Sequence, residues 1–308
     1  MVDISTQPLI SIVIPHLNEP DDLRRCLLAL AAERDGAVPS EVIVVDNGSR
    51  QLPHEVCAAF PGVRLELEPT PGPGPARSHG ADRARGDIIA FIDADCLAQP
   101  GWLRNIAEFY AAHPEIDFTG GAIGIARLDP LRPTMFEAYE EQFAYRVKLY
   151  VERDRYAATG NMAVRRRVWQ AVGPFGGIAT MEDREWGRRA SAMGYRLAYL
   201  PQARVLTPAC KSFAEITRRW DRHIAHEFRE GAGRPHHVAR WVLFGTAVAL
   251  SPLVEAARVP LRRSAGTLRE RLLALTCLAR IRLYRARKML ALLREDRALQ
   301  IIGSWNRE

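Results

Sequence analysis

The chain has 308 residues and a net charge of +7 at pH 7, and 47% of its residues are hydrophobic and 26% charged. These values are typical of a folded soluble protein with a substantial core, and we expect one large domain with an appendage. The five cysteines are scattered and odd in number, which excludes a disulfide framework and favours a reducing, cytoplasmic location. No basic leader precedes an apolar stretch at the N-terminus, so we expect no secretory signal.

The first half of the chain alternates short apolar runs with helical patterns. We predict strands at 10–14, 42–45, 63–67 and 88–92, with helices at 20–33 and 76–84. Apolar strands of this kind indicate a parallel sheet covered on both faces, and therefore an α/β fold. Ligands of such sheets bind beyond the carboxyl ends of the strands. Polar clusters at 15–19, 46–49 and 93–95 follow such ends and are expected to meet at one edge.

The second half of the chain is predicted to be mainly helical. We place helices at 100–112, 134–151, 181–193 and 213–229, and a Gly-rich strand at 118–126. Gly231, Gly233 and Pro235 mark a boundary. The predicted division is therefore a main domain over 1–230 and a basic helical region over 231–308.

The C-terminal region has two apolar segments. Residues 241–254 carry no charge but are interrupted, and they fall short of the ~20 apolar residues of a bilayer span. Residues 268–293 place leucines and alanines on one helical face and arginines on much of the remainder, as in an interfacial helix. A helix packed on the main domain or on another subunit has the same pattern. The arginine excess tilts the interpretation toward a peripheral membrane contact through 241–293.

The basic charge that accumulates from Arg258 onward has three explanations. It indicates an anionic partner, such as lipid headgroups or nucleic acid, or simply a solvated helix face, which charge alone favours. The basic segment has no recognisable nucleic-acid module and no interleaved aromatics, so we expect no nucleic-acid partner.

The most informative motif is Asp93-Ala94-Asp95, which follows the apolar run at 88–92. Two carboxylates one residue apart at a strand end can hold a divalent cation and leave it open to a ligand. Hard oxygen ligands suit Mg²⁺ or Mn²⁺, and such ions usually bridge to substrate phosphates. Without further context, two surface aspartates are the commoner explanation.

The ordered set of motifs resembles the inverting family 2 glycosyltransferases of the GT-A fold. Stretches 11–19, 41–49, 74–80 and 86–95 carry the resemblance, and a second match covers 160–166 and 182–183. The resemblance implies a Rossmann-like, mostly parallel sheet flanked by helices. It also implies a metal-dependent transfer of a sugar, with inversion, from a nucleotide-sugar (UDP favoured) to a hydroxyl acceptor. We expect the acceptor to be a lipid or lipid-linked glycan of polysaccharide or glycolipid synthesis, presented while the basic C-terminal helix lies on the bilayer.

On the donor side, the resemblance implies that Pro15, Glu19 and Asp46 form the nucleoside pocket. A carboxylate at 46 can accept a hydrogen bond from a base N–H, and Glu19 from a base or a ribose hydroxyl. Asp46 begins an Asp-Asn-Gly-Ser run, which is also ordinary turn chemistry. Arg77 is expected to reach phosphate or to pair with a nearby carboxylate.

The remaining carboxylates are assigned by the same resemblance. Asp95 is the direct ligand of Mn²⁺ or Mg²⁺, and Asp93 contacts ribose or metal-bound water. Asp183 is the catalytic base that takes the proton of the acceptor hydroxyl, and Glu182 orients or tunes it. Acidity at the start of a helix is itself electrostatically favourable, so this pair alone is weak evidence of catalysis.

Acceptor-side roles are expected for Gly160, Asn161, Arg219 and Trp220. Arg219-Trp220 is similar to the basic-Trp motif of processive and lipid-modifying relatives. Ile216 stands where Gln or Arg is expected, which argues against processive polymerisation.

A second departure concerns the metal site. Thr207 stands near the point where many relatives carry a histidine that completes the site. His223 and His226 are candidates for the missing ligand, and water or diphosphate oxygens are the alternative.

Two other functions remain open at this stage. A catalytically degenerate, membrane-associated scaffold is one, because Thr207 replaces the expected ligand. A sugar nucleotidyltransferase is the other, although the acidic 15–19 segment lacks its basic pyrophosphate loop. A homo-oligomer contact through the C-terminal helices is a further expectation.

Overall fold

The computed structural model describes residues 9–34, 38–232, 235–258 and 266–293. The chain divides into two compact units, the first comprising residues up to Gly124 and Arg146–Thr207, the second Ile125–Tyr145 and the chain from Pro208. The predicted division into 1–230 and 231–308 falls at a different place and stays a prediction. Gly233 of the predicted boundary lies outside the described residues.

Eight strands of the described residues form one sheet. They are β1 (Ile10–His16), β2 (Ser40–Asp46), β3 (Val63–Leu67), β4 (Ile88–Ile92), β5 (Leu97–Ala98), β6 (Phe118–Ala126), β7 (Asn161–Arg165) and β8 (Leu197–Pro208). Their order across the sheet is β3-β2-β1-β4-β7-β6-β8-β5. The four predicted strands β1 to β4 pair in parallel, as expected. Strand β7 pairs antiparallel with both β4 and β6, and β5 pairs antiparallel with β8.

The helices of the described residues, in chain order, are α1 (Pro20–Glu33), α2 (His54–Ala58), α3 (Pro73–Asp82), α4 (Trp102–Ala112), α5 (Met135–Phe143), α6 (Val147–Leu149), α7 (Arg166–Val172), α8 (Glu182–Ala192), α9 (Phe213–Gly231), α10 (His237–Arg258) and α11 (Leu268–Leu292). Helix α1 illustrates why the helices of this region could be predicted from the sequence. Its buried residues Leu23, Leu27 and Leu30 recur at helical spacing, and Pro20 begins the first turn.

The core of the first unit lies on both faces of the sheet. Ile10, Ile12 and Ile14 of β1 join a cluster with α1 and α4. Val13 faces the other side and joins a cluster with residues of α3, α7 and α8. Successive side chains of a strand point to opposite faces, so β1 is apolar throughout because both faces are covered.

The predicted helix at 134–151 is wrong as a single element. Helix α5 is capped by Thr134 and ends at Phe143, after which Tyr145 takes a positive φ of 45°. The chain then forms α6 and a π-helical turn over Tyr150–Asp154, and Arg155 takes a φ of 61°. Left-handed backbone stops a helix, and here it does so without the glycine or proline that would have revealed the break.

The second unit is built from α5, α9, α10 and α11. Helix α10 is 22 residues long and, among the described residues, passes the length and composition test for a membrane span; 17% of its most apolar stretch is buried. The uncharged segment 241–254 lies within this longer helix. Helix α11 buries one face, with Ala274, Cys277, Leu278, Ile281 and Met289. Of the leucines that the sequence assigned to its apolar face, Leu268, Leu272, Leu283 and Leu290 are exposed, whereas Leu275 and Leu293 are half-buried against core clusters.

Candidate active site

The loops that follow β1 and β2 are joined by hydrogen bonds. The Nδ1 of His16 lies 2.9 Å from Oδ2 of Asp46. The Glu19 N–H donates to Nε2 of His16 at 3.3 Å, so Nδ1 carries the proton that is donated to Asp46. Asn18, at a φ of 57°, donates its N–H to the Ser49 hydroxyl at 2.8 Å. The two loops therefore form one fixed rim.

Asp46 is buried and organises the turn that follows β2. Besides the bond to His16, its Oδ1 accepts the N–H groups of Gly48 at 3.0 Å and Ser49 at 2.9 Å. Burial raises the pKa of this carboxyl, but hydrogen bonds from His16 and Ser49 outweigh it and hold the pKa below its usual value. The Asp46 carboxylate thus accepts three hydrogen bonds, of about four that its oxygens can accept. The structure supports the turn role directly, and recognition of a base by Asp46 stays a prediction.

The other two residues of the predicted nucleoside pocket flank this rim. Pro15 lies in β1 opposite Val45 of β2. Glu19 is exposed at the residue before α1. All three predicted residues therefore follow or end β1 and β2 on the same side of the sheet, where open α/β folds bind ligands.

The acidic motif forms a turn directly after β4. The Cys96 N–H donates to the Asp93 carbonyl at 3.0 Å, and Ala94 is buried between two partly exposed carboxyl groups. One potential ligand atom from each of Asp93, Asp95 and Cys96 lies within 4.8 Å of the others. Burial, followed by the negative charges of Asp93 and Glu19, raises the pKa of Asp95 to about 7. Negative charge is therefore concentrated at this turn.

The donor set fits a divalent cation of the Mg²⁺ or Mn²⁺ type. Two carboxylates supply hard oxygen ligands, and the site keeps one side open because Gly160 lies opposite. A Cβ at Gly160 would lie 2.9 Å from Oδ2 of Asp93 and would crowd that side. Asp93 and Asp95 are thus the residues that would hold the ion.

Two further side chains border Asp95. The Thr207 hydroxyl lies 3.5 Å from Oδ2 of Asp95, and the Cys96 sulfur lies 3.5 Å from Oδ1. Burial, then the charges of Asp95 and Asp93, raises the pKa of the Cys96 thiol well above its usual value, so the thiol stays protonated and is a weak ligand. The alternative candidate His223 lies on α9 in the second unit, where burial and Arg222 lower its pKa to about 3.

A single buried arginine joins the acidic turn to α8. Arg77 of α3 donates from Nη2 to Oδ1 of Asp93 at 2.6 Å and from Nη1 to Oε1 of Glu182 at 3.1 Å. Helix α3 can bring Arg77 there because Gly80 packs directly on β1, where a Cβ would lie 2.5 Å from Val13. The structure therefore places Arg77 between two carboxylates, which was one of the two expected roles.

Asp183 lies in the first turn of α8, next to Glu182. Its Oδ1 accepts the Arg184 N–H at 2.7 Å. Burial, followed by the negative charge of Glu182, raises the pKa of Asp183 to about 7, against the opposing effect of Arg77. A carboxyl with such a pKa holds and releases a proton near neutral pH, as a general base must.

Sequence reasoning missed an aromatic pair beside Asp183. The rings of Tyr150 and Tyr156 stack at 5.1 Å with an angle of 13° between their planes. Gly187, one helical turn beyond Asp183, allows Tyr156 to approach α8, because a Cβ there would lie 2.5 Å from Cβ of Tyr156. Burial and the charge of Asp183 both raise the pKa of Tyr156. The many aromatic residues of the predicted 134–151 helix were the signal for such a pair. The stacking could not be predicted, because it depends on a π-helical turn that interrupts the helix.

Of the expected acceptor-side residues, two lie in the first unit. Gly160 borders Asp93, as described above. Asn161 is buried, accepts from Trp102 Nε1 at 2.9 Å, and donates to the Ala122 and Ala203 carbonyls at 2.9 and 2.8 Å. The amide of Asn161 is thus used to hold the sheet together.

The other two expected acceptor-side residues lie in the second unit. Arg219 pairs with Glu140 at 2.8 Å, and the Arg285 guanidinium lies 3.7 Å from the ring centroid of Trp220. Both side chains stabilise the packing of this unit. A role in acceptor binding stays a prediction for all four residues.

Comparison with known proteins assigns the family. Residues 11–172, about half of the chain, match the sequence profile of glycosyl transferase family 2. Glycosyltransferase AglE of Haloferax volcanii is 28% identical over 246 residues, covering 78% of this chain and 76% of AglE. Succinoglycan biosynthesis protein ExoO of Rhizobium meliloti is 32% identical over 129 residues, covering 41% of this chain and 35% of ExoO. The chain therefore spans only about a third of ExoO.

A solved structure extends the comparison to the fold. Mannosyltransferase PcManGT from Pyrobaculum calidifontis, solved with GDP-Man and Mn²⁺, superposes with a TM-score of 0.60 at 18% identity, covering 99% of this chain and 89% of that one. This likeness confirms the predicted GT-A fold. The chain belongs to glycosyl transferase family 2 and is a glycosyltransferase.

Proposed function

We propose that the protein is a metal-dependent, inverting glycosyltransferase that moves a sugar from a nucleoside diphosphate sugar, UDP favoured, to a hydroxyl acceptor. One observation carries the proposal. Arg77 holds Asp93, at the donor end, and Glu182, beside the base Asp183, within hydrogen-bond distance of one guanidinium. The diphosphate end and the proton-accepting end of the site are therefore fixed relative to each other, as an oriented transfer needs.

The donor side takes the diphosphate at Asp93 and Asp95 with Mn²⁺ or Mg²⁺. PcManGT was solved with GDP-Man and Mn²⁺, which supports this choice of ligand and ion. When bound, the cation neutralises charge on the departing nucleoside diphosphate. Pro15, Glu19 and Asp46 line the nucleoside end, and the hydrogen-bonded rim holds them in place before the donor arrives.

The hydroxyl group of the acceptor transfers its proton to Asp183. The acceptor oxygen attacks the anomeric carbon, and its proton passes to the carboxylate of Asp183. The new glycosidic bond forms as the bond between that carbon and the phosphate oxygen breaks, and the electron pair leaves with the nucleoside diphosphate. Attack from the face opposite the leaving group inverts the anomeric centre. Burial, followed by the negative charge of Glu182, keeps the pKa of Asp183 high enough for it to act as a base near neutral pH.

We further propose a lipid or lipid-linked glycan as the acceptor. Gly160 and Asn161 in the first unit, and separately Arg219 and Trp220 in the second unit, are the residues proposed to act on it. The apolar, largely exposed α10 supports a peripheral position on the cytoplasmic face of a membrane. In this proposal residues 1–230 carry the chemistry, and 231–308 supply the membrane contact or a contact with a second copy.

The test uses purified full-length protein with Mn²⁺ and a panel of UDP-sugars and GDP-mannose, with release of nucleoside diphosphate as the readout. Asp183→Asn and Asp95→Ala are expected to lose turnover. Glu185→Gln is the matched control, because Glu185 lies in the same first turn of α8 but pairs with Arg189. Unchanged turnover in both test variants would show that these roles are wrong.

A further inference from the structure

Five exposed leucines of the second unit lie on three separate segments. Leu128 and Leu131, in the loop before α5, are 85% and 88% exposed. Leu253 in α10 and Leu268 in α11 are each 73% exposed, and Leu272 is 57% exposed. We call these five residues the leucine tip.

The fold of the second unit brings the three segments to one end. The start of α10 lies against the end of α11, because Trp241 Nε1 donates to the Met289 carbonyl at 2.8 Å. Beyond this contact α10 runs on for about 26 Å to Arg258, and α11 begins about 32 Å before Met289. The chain from Arg258 to Gly266 can reach at most about 29 Å, so only an antiparallel pair allows the connection, and the end of α10 lies toward the start of α11. Arg127 ties the loop to that end by donating to Glu270 Oε1 at 2.9 Å and to the Pro130 carbonyl at 3.0 Å.

The first turn of α11 is itself well fixed. Thr267 and Glu270 form a capping box, in which each side chain bonds the backbone N–H of the other. Glu270 is buried while it holds Arg127, so the loop and the helix start are joined through one carboxylate. The exposure of the leucine tip is therefore a property of an ordered surface. Folded proteins rarely leave a patch of this kind in water unless it binds something.

The surroundings of the leucine tip indicate the kind of partner. Helix α10 has no charged residue from Trp241 to Val254, and its exposed side chains continue the apolar surface. Among the described residues, four arginines lie within five chain positions of these leucines, namely Arg132, Arg258, Arg269 and Arg271, compared with two carboxylates, Asp129 and Glu255, besides the Arg127–Glu270 ion pair. An apolar centre with a mainly basic rim complements a bilayer with anionic headgroups. Side chains that protrude this far suit insertion into a fluid phase better than contact with a flat protein surface.

We propose that the leucine tip inserts into the boundary between headgroups and acyl chains of an anionic lipid bilayer. Arg132 and Arg269 then lie at the level of the headgroup phosphates. This deepens the membrane part of the proposed function, on which it rests, and it adds the 127–132 loop, which lies outside the 241–293 segment expected from the sequence. The chemistry at Asp93, Asp95 and Asp183 does not depend on it.

The test is co-sedimentation of the full chain with vesicles. Vesicles of phosphatidylcholine with about a third phosphatidylglycerol are compared with vesicles of phosphatidylcholine alone. The double variants Leu128→Asp/Leu131→Asp and Leu253→Asp/Leu268→Asp are each expected to lower the partition coefficient for anionic vesicles by at least about tenfold. Leu28→Asp is the matched control, because Leu28 is also an exposed leucine, at 57%, but lies on α1 in the first unit. It is expected to bind as the wild type does.

Three outcomes would overturn the proposal. The wild type could fail to bind anionic vesicles, or the tip variants could bind as well as Leu28→Asp does. Light scattering could also show that the wild type is a dimer which the tip variants dissociate, so that a second copy covers the leucines. Circular dichroism melts verify that each variant is folded. Asp183→Asn is expected to keep vesicle binding, so a failure of the chemistry is distinguishable from a failure of membrane docking.

Discussion

Asp183→Asn is expected to abolish turnover and, at neutral pH, to make the protein more stable. The wild-type carboxyl has a usual pKa of 3.8, and burial with the charge of Glu182 raises it to about 7 in the folded protein. The folded state therefore binds a proton more strongly than the unfolded chain does. An asparagine keeps an oxygen that can accept the Arg184 N–H, but it has no charge to bury.

The magnitude follows from linkage between protonation and folding. A rise of the pKa from 3.8 to about 7 corresponds to about 4 kcal/mol. Asp183 is partly exposed to solvent, which screens the interaction and reduces the expected effect to about 2 kcal/mol. The stability that the proton provides is complete below about pH 4 and is lost as pH rises through about 7. The free energies of unfolding of wild type and variant should therefore agree near pH 4 and differ fully above pH 7.

The assay is urea unfolding followed by circular dichroism at a series of pH values, with turnover measured on the same preparations. Glu185→Gln serves as the control, and it should keep turnover and show no comparable gain in stability. If Asp183→Asn is less stable than the wild type at pH 7.5, or if it retains turnover, the assignment of Asp183 as a strained catalytic base is refuted.

Three further predictions concern the same site. Replacing Arg77 with Met should lower kcat at least about 100-fold and destabilise the fold by about 3 kcal/mol, because two carboxylates lose their partner; unchanged kcat would contradict this. The kcat/KM of the wild type should rise with pH along a limb near pH 7, because the base must lose its proton, and a profile that falls there would exclude Asp183 as that base. Replacing Thr207 with His should lower the Mn²⁺ concentration for half-maximal activity about tenfold and change that for Mg²⁺ less, since imidazole favours transition metals; equal effects on both ions would argue against a ligand position beside Asp95.

The elements that sequence patterns predicted well are those whose residues face one environment. Strands β1, β2 and β4 are buried on both faces, and their continuous apolar runs made them visible. Strand β8 was missed because its burial varies along the strand and Pro201 interrupts it. Helix α11 is apolar on more than one side, so the neighbours, and not its own sequence, decide which face is buried.

The sequence predicted those parts of the candidate site whose residues are close together in the chain, and not the contacts between distant residues. The acidic turn after β4 and the rim after β1 and β2 could be located because each follows a recognisable strand. The contact between Arg77 and Glu182 joins residues 105 positions apart, and no spacing in the sequence predicts it. The stacking of Tyr150 on Tyr156 depends on the π-helical turn between them, and the sequence of that turn has no glycine or proline from which it could be predicted.

The guanidinium of Arg77 also limits how this enzyme can be redesigned. Because it bonds Asp93, on the proposed donor side, and Glu182, next to the proposed base, at once, these two parts of the site do not vary independently. A chimera that imports residues 73–82 from a relative to change sugar preference would also disturb α8. Grafts that carry both segments together should retain activity where single-segment grafts do not.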